Sequence, residues 1–463
     1  MRLVFFLFFI ALNLASCKTI SVLAPVHSTI APPPIKQAAS SLNIPVEIEM
    51  KSYLKMTEEA LPKKFIDSIY QCEGVSLSYI FIREPIDFKF KNSSIDYEVD
   101  GKFELKLNYC PKCHELWDKN GSCTIPRVYV SCGSGNEAMR RVKVAYTTNI
   151  SLGENYKFKS TTELIKFNII DPCKISLFKY DVTPEVEKQV TKQLVALEDD
   201  IDKQIEALDV KSSLKDVWSE LQKGLPISTY GFLYMQPKSI GMSELQFKNN
   251  KVFLDLYLTV YPFVSTEEQK EKITALPALE KFSGKSGFNL NLDIRASYDS
   301  LSAFVGKEFV GQEFDFKRKK IFVTGIKISG AQDQKLVFKM DFDGSKKGTI
   351  YLTGIPILDI ITQKISMKDL DFDLETKSVL LKTAKWMFNK KILEELEKNT
   401  VFELKDLLNE SKSNIVSAIN TEITKGVKMS GAVNKISIKE IYLDKGTLLL
   451  RSEVKGILKI KID

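Results

Sequence analysis

Apolar and polar residues alternate along much of this chain, which is the period of a half-buried strand. Asn43-Ile-Pro-Val-Glu-Ile-Glu-Met50 shows the alternation first, and Tyr53 to Ile66 then changes to the three-and-four spacing of an amphipathic helix. The same order returns at Phe288-Asn-Leu-Asn-Leu-Asp-Ile-Arg295, followed by Tyr298 to Phe309. A constant shift of 244 lays Val46 on Leu290, Ile48 on Leu292, Met50 on Ile294 and Phe65 on Phe309. A second pair aligns at a shift of 196, with Ile240 to Val260 lying on Ile436 to Gly456. Each copy reads as a strand, a tight turn (Asn249-Asn250 or Lys445-Gly446) and a second strand. Each also follows an expected long helix ending in Lys-Gly, at Lys223-Gly224 and at Lys425-Gly426, where glycine can end a helix.

The helix of the first copy starts with Thr183 as cap, Pro184 in the first turn and Glu185 at the positive end of the dipole. Val186, Val190, Leu194, Leu197, Ile201, Ile205 and Leu208 follow at helical steps, continued by Leu214, Val217, Trp218 and Leu221. Unbroken to Gln222, it would be roughly 58 Å long at about 1.5 Å per residue. One narrow apolar stripe on so long a helix demands an extended partner, either a coiled-coil mate or a curved sheet; the strands on either side favour the sheet. The expected fold is therefore α+β, with two related halves, each a curved antiparallel sheet wrapped around a long helix. The halves run from 42 to 264, with a cysteine-rich insertion at 107–140, and from 288 to 463, joined by a linker at 265–287.

Ahead of the first half, Arg2 and the short apolar run Leu3 to Leu12 read as a secretory signal occupying residues 1–16. The run is too short to span a bilayer, which takes about 20 apolar residues. Leu14-Ala15-Ser16-Cys17 looks like a bacterial lipobox, in which the Cys17 thiol takes a diacylglycerol; the alternative is an ordinary signal with Cys17 as a disulfide partner. With several acyl chains on Cys17 the protein would be held on a membrane. Lys18 stands where an aspartate would favour inner-membrane retention, so the expected place is the outer membrane of a bacterial envelope, facing the periplasm. The three consecutive prolines at 32–34 make residues 17–41 an extended tether.

Six cysteines remain besides Cys17: Cys72, Cys110, Cys113, Cys123, Cys132 and Cys173. Cys110-Pro-Lys-Cys113-His114 has a spacing that zinc accepts, but an even number of thiols in an exported chain favours disulfides, with the connectivity open. Net charge falls from +7 to +6 without Arg2, and the lysines alternate with acids, so nothing resembles a nucleic-acid patch. The two histidines, His27 in the tether and His114 beside the cysteines, offer no positioned imidazole for a triad. There is no P-loop, no dinucleotide fingerprint and no HExxH. Asp369, Asp371, Asp373 and Glu375 alternate with apolar residues as a solvated strand face rather than a calcium site, and Asp341-Phe-Asp-Gly344 reads as a hairpin turn. No enzyme, cofactor or metal is expected.

The stretches LNIPVEIEMKSYLKMTEEALPKKF (42–65), MKDLDFDLETKSVLLKTAKWMFNKKILEELEKNTVFELKDLLNE (367–410) and KISIKEIYLDKGTLLLRSEVKG (435–456) resemble a family of bacterial envelope lipoproteins, the domain of unknown function numbered 4403. The insertion from Cys110 to Cys132 departs from it. At fold level the duplicated helix-and-sheet order is similar to the tubular lipid-binding superfamily that includes bactericidal/permeability-increasing protein. That resemblance implies an apolar groove for acyl chains in each half, lined by Val46, Ile48, Met50, Leu254, Leu256, Leu258, Leu290, Leu292, Ile294, Leu448, Leu450 and Val454. The implied function is a non-enzymatic lipoprotein that binds or transfers lipids or other hydrophobic ligands. The alternative is a structural or docking lipoprotein whose partner is another envelope protein or a glycan. The oligomeric state is open.

Overall fold

A strand near the N-terminus, Ser40–Glu49, runs through the middle of the largest sheet. The computed structural model describes residues 36–463 except 115–121, 175–180, 228–230, 271, 283, 285, 317–318, 331–333, 345–346, 374–400 and 445. The expected signal, Cys17, His27 and most of the expected tether lie outside the described residues, as do Glu375 and the centre of the 367–410 stretch.

Among the described residues the sheets have 12, 7, 6 and 2 strands. In the 12-stranded sheet, Ser40–Glu49 pairs antiparallel with Lys251–Val260 along its whole length. Its other side meets two strands of the second half: Gly287–Ser297 at Ser41 to Asn43, and Thr447–Ile462, in parallel, at Val46 to Ile48. Pro45 falls in the interval between those two pairings. The ladder to Lys251–Val260 continues as Met50 N donating to Asn250 O at 3.0 Å, so even-numbered residues direct their N–H groups to that side and the Pro45 nitrogen faces the gap, where no donor is needed. On one face of this seam strand stand Leu42, Ile44, Val46 and Ile48. On the other, the buried Glu47 accepts from Lys251 at 2.7 Å and Lys459 at 2.6 Å, one lysine from each half. Upstream, Gln37 Nε2 donates to Pro262 O at 2.7 Å and Asn291 O at 2.9 Å, pinning the tether beside the same junction.

Five helices are described: α1 Lys51–Ala60, α2 Thr183–Glu206, α3 Val210–Glu220, α4 Tyr298–Phe309 and α5 Lys405–Ile419. Helix α1 stops short of the expected Ile66 because Pro62 disfavours helical geometry at Leu61; Phe65 and Ile66 belong to the strand Lys64–Ile69. The expected α+β halves, each with a sheet around a long helix, are overturned: strand makes up 56% of the structure and helix 20%, so the protein is mostly β, built of several sheets. The long helix is broken at Ala207 to Asp209, where Asp209 caps α3 by accepting from Ser212 N at 3.1 Å. Neither Lys-Gly ends a long helix. Gly426, at φ +82°, turns the hairpin between Thr421–Thr424 and Val427–Asp444, while α4 and α5 are short.

Helix α2 does not sit inside a rolled sheet but runs along the edge strand Phe158–Ile169 of the 7-stranded sheet. Val186 is buried, with Val190 and Leu194 half-buried against a core of Phe103, Leu105, Val142, Val144 and Tyr146. Beside that stripe runs a row of acids. Glu187 accepts from Ile169 N (3.2 Å), Glu198 from Leu164 N (2.7 Å), Asp202 from Thr162 N (3.0 Å) and Glu206 from Ser160 N (3.4 Å). An edge strand's free amides otherwise invite pairing with another chain; here side chains of α2 accept them. In the 6-stranded sheet α4 packs on Lys319–Gly330, and α5 packs on Val427–Asp444 of the large sheet.

The seam also requires Gly456, since a Cβ there would lie 2.2 Å from Ala432 O and 2.4 Å from the Phe288 ring. Gly456→Val should lower stability by about 2–3 kcal/mol through forced repacking. Gly325→Ala, where the new carbon meets nothing closer than 3.6 Å, should stay within about 0.5 kcal/mol. Urea unfolding of the two variants measures the contrast.

Candidate apolar site on the shared sheet

Strand register decides which side chains share a face, because every second residue points the same way. Val46 lies opposite Leu254, Ile44 opposite Leu256 and Leu42 opposite Leu258. Leu290 lies opposite Val454, Leu292 opposite Ser452, Ile294 opposite Leu450 and Ala296 opposite Leu448. The parallel contacts Val46 with Ile460 and Ile48 with Ile462 join the two sets. The candidates Val46, Ile48, Leu254, Leu256, Leu258, Leu290, Leu292, Ile294, Leu448, Leu450 and Val454 therefore stand on one continuous face of one sheet, not in two separate grooves. Met50 lies just past the end of its strand, where it precedes α1.

Much of this face is core. Leu258 packs with Ile240 beneath Trp218 of α3. Leu256, Leu290 and Val454 join Leu42, Ile44, Phe288 and Val433 under Ile415, Val416 and Ile419 of α5. Ile294 and Leu450 meet Leu404 and Leu408, and Leu448 packs with Tyr298 and Val305 of α4. Val46, Ile48, Leu254 and Leu292 belong to none of these clusters. Beside these clusters the face continues as two rows across four strands, of which Ile460 and Met429 border the core under α5. One is Leu254, Val46, Ile460 and Met429; the other is Val252, Ile48, Ile462 and Val427. Val46 and Val252 are buried and the other six half-buried. Sequence reasoning missed Ile460, Met429, Ile462 and Val427; the alternation of Val427 to Met429 and Leu458 to Ile462 was the available signal.

The opposite face carries the charge. Asp293, 2% exposed, takes the Arg451 guanidinium through two bonds of 2.8 and 3.1 Å. The lysine hydrogen bonds, Lys251 first and then Lys459, hold the Glu47 carboxyl down at about 2 against the opposing effect of burial. Burial also works against Asp202, yet the Ser160 and Thr162 hydroxyls and the Thr162 amide keep its carboxyl below its ordinary range.

The six cysteines form three disulfides, Cys72–Cys113, Cys110–Cys123 and Cys132–Cys173, with Cα separations of 5.6, 5.8 and 5.5 Å. Cys110 and Cys113, whose spacing suited zinc, thus go to different partners. The pairs staple the far end of the 17-residue strand Ser94–Cys110. Asp369 and Asp371 are exposed around the buried Leu370, and Asp341 to Gly344 leads into a hairpin with Gly348–Asp359. Among the described residues no cluster of three or more potential metal ligands occurs.

The family model for the domain of unknown function DUF4403 matches residues 38–462. The chain belongs to that family. The resemblance carried by the quoted stretches therefore holds across nearly all of the described chain. No curated protein matches this DUF4403 chain. Solved structures similar to it include a lipopolysaccharide binding protein, at 10% identity and a TM-score of 0.26, covering 92% of this chain and 100% of that one. P47 from Clostridium botulinum A2 matches at 11% identity and a TM-score of 0.23, over 90% of this chain and 97% of that one. P47 of Clostridium botulinum E1 gives 11% and 0.20, over 90% and 98%. These scores are low and leave the chemistry of the DUF4403 site to its geometry.

A carboxylate whose folded pKa is lowered stabilises the fold above its unfolded pKa and ceases to do so as pH falls through the folded value. For Glu47 that window runs from 4.5 down to about 2. Thermal unfolding of this DUF4403 protein should be insensitive to pH between about 5 and 8 and shift downward as pH falls through the Glu47 window. Glu47→Gln should lower stability at neutral pH and flatten part of the acid slope; an unchanged slope would contradict the role assigned to this carboxylate.

Proposed function

We propose that this protein is a non-enzymatic lipoprotein of the bacterial envelope, held by acyl chains on Cys17 at the outer membrane and facing the periplasm, that binds the acyl chain of a lipid on the shared sheet. The observation that carries this reading is the strip of eight apolar side chains, mostly half-buried, that extends the core face beside the clusters covered by the described helices. None of the eight has a hydrogen-bonding side chain, so the strip favours a hydrocarbon over a polar ligand. Among the described residues no helix is long and apolar enough to cross a membrane, and the lipobox at Leu14 to Cys17 supports attachment through the lipidated cysteine instead.

A second reading, docking to another envelope protein or a glycan, draws on the disulfide-stapled end of the 7-stranded sheet. Tyr70, Ile125, Val128 and Tyr129 are 61, 55, 56 and 75% exposed there. Crosslinking in intact cells that yields one dominant protein adduct through this end would favour it.

Native mass spectrometry of the protein, gently extracted from its own membrane, should show a noncovalent lipid in addition to the anchor. Leu254→Asp should weaken lipid affinity about tenfold, a change of about 1.4 kcal/mol, and lower the bound fraction accordingly. A protein that emerges free of noncovalent lipid at every detergent concentration would overturn the reading.

A further inference from the structure

The lipid site need not repeat with the halves, and the register argues against repetition. We infer that the strip is a single acyl-chain track crossing the seam between the halves, so that each chain carries one lipid rather than one in each half; this rests on the lipid-binding reading above. In both rows the first two residues come from the first half (Leu254 and Val46, or Val252 and Ile48) and the last two from the second (Ile460 and Met429, or Ile462 and Val427). The halves touch here through the parallel contacts Val46 with Ile460 and Ile48 with Ile462. Elsewhere on this face Trp218 of α3 covers part of the first half, and Ile415, Val416 and Ile419 of α5 lie over a core drawn from both halves, which Ile460 and Met429 border. Leu254, Val46, Val252, Ile48, Ile462 and Val427 belong to none of the clusters under the described helices, and they come from both halves.

The dimensions suit a chain laid across the strands. Four strands at about 4.8 Å spacing span roughly 14 Å from Leu254 to Met429, and the two rows are separated by roughly 6.6 Å along the strands. Three of these four strands are tied from behind by Glu47 with Lys251 and Lys459. The strip ends where Met50 turns into α1 and Gly426 turns the hairpin. The next residues there include Lys51 and Lys425, both exposed. The acids at this margin are already engaged: Asp463 by Lys428 and Lys461, Glu422 by the Gly426 amide, and Glu49 by Lys251. An amphiphile with an anionic, phosphate-bearing head group at this margin and its acyl chain along the strip satisfies both features.

A photoreactive benzoyl-phenylalanine placed at Leu254 (first-half side), at Val427 (second-half side), or at both, tests the track in the full-length protein in its membrane. The expected result is labelling by the same lipid from either position, and one labelled lipid per chain in the double variant. Two lipids per chain in the double variant would mean separate sites, overturning the track while leaving lipid binding intact. Crosslinks to another part of the chain itself would show the strip covered by protein and overturn the track. No lipid at either position, together with a lipid-free native mass, would overturn the lipid-binding reading too. In a parallel arm, Lys51→Glu with Lys425→Glu should lower retention of phosphatidylglycerol at least tenfold relative to phosphatidylcholine; equal retention would overturn the head-group assignment.

Discussion

The pairing of one ten-residue strand, Ser40–Glu49, with strands of both halves is the constraint on which the rest of the structure depends. Without it the hairpin of the first half and that of the second would each present an open edge at the centre of the molecule. With it they form one sheet. The strand is suited to the task at each position: apolar residues at even positions fill one face, Pro45 occupies the one interval that needs no donor, and Glu47 holds a lysine from each side. Gln37 secures the chain just before the strand begins, through hydrogen bonds to Pro262 of the first half and Asn291 of the second.

Joining the halves also segregates the chemistry. Ion pairs such as Asp293 with Arg451, and Glu47 with its two lysines, gather on one face of the sheet, where partners offset much of the cost of burying them. The other face is left almost wholly apolar. Helices α3, α4 and α5 cover parts of that face and none of the described helices is long enough to cover all of it. A surplus of apolar wall at the junction is the direct result, and the proposed lipid site is that surplus.

Which features were legible in the sequence follows from the range of the interactions behind them. Face parity depends only on spacing of two residues, so Val46, Leu254, Leu290 and Leu450 could be recognised as core-facing. Which strands lie side by side depends on residues as far apart as Gln37 and Asn291, and alternation holds no information about that. Two separate grooves were therefore expected where one face exists. The break at Ala207 to Asp209 was missed because the apolar steps continue through it, although Asp209 three residues before Ser212 was a visible cap. Nothing local in the sequence marks Glu198, Asp202 and Glu206 of α2 as acceptors. Their spacing of four was on view, but the amides they accept belong to a strand some 40 residues away, as in the bond from Thr162 to Asp202. The family was legible because its stretches are long and contiguous, and the cysteine pairing was not, since alternation says nothing about which thiols meet.

Amide hydrogen exchange, compared between the delipidated and the lipid-loaded protein, tests the shared sheet as a single site most directly. Lipid should slow exchange in Ser40–Glu49, Lys251–Val260 and Thr447–Ile462 together, since one ligand would lie across all three strands. Protection confined to strands of one half, or independent protection of the two halves at different lipid concentrations, would contradict the account.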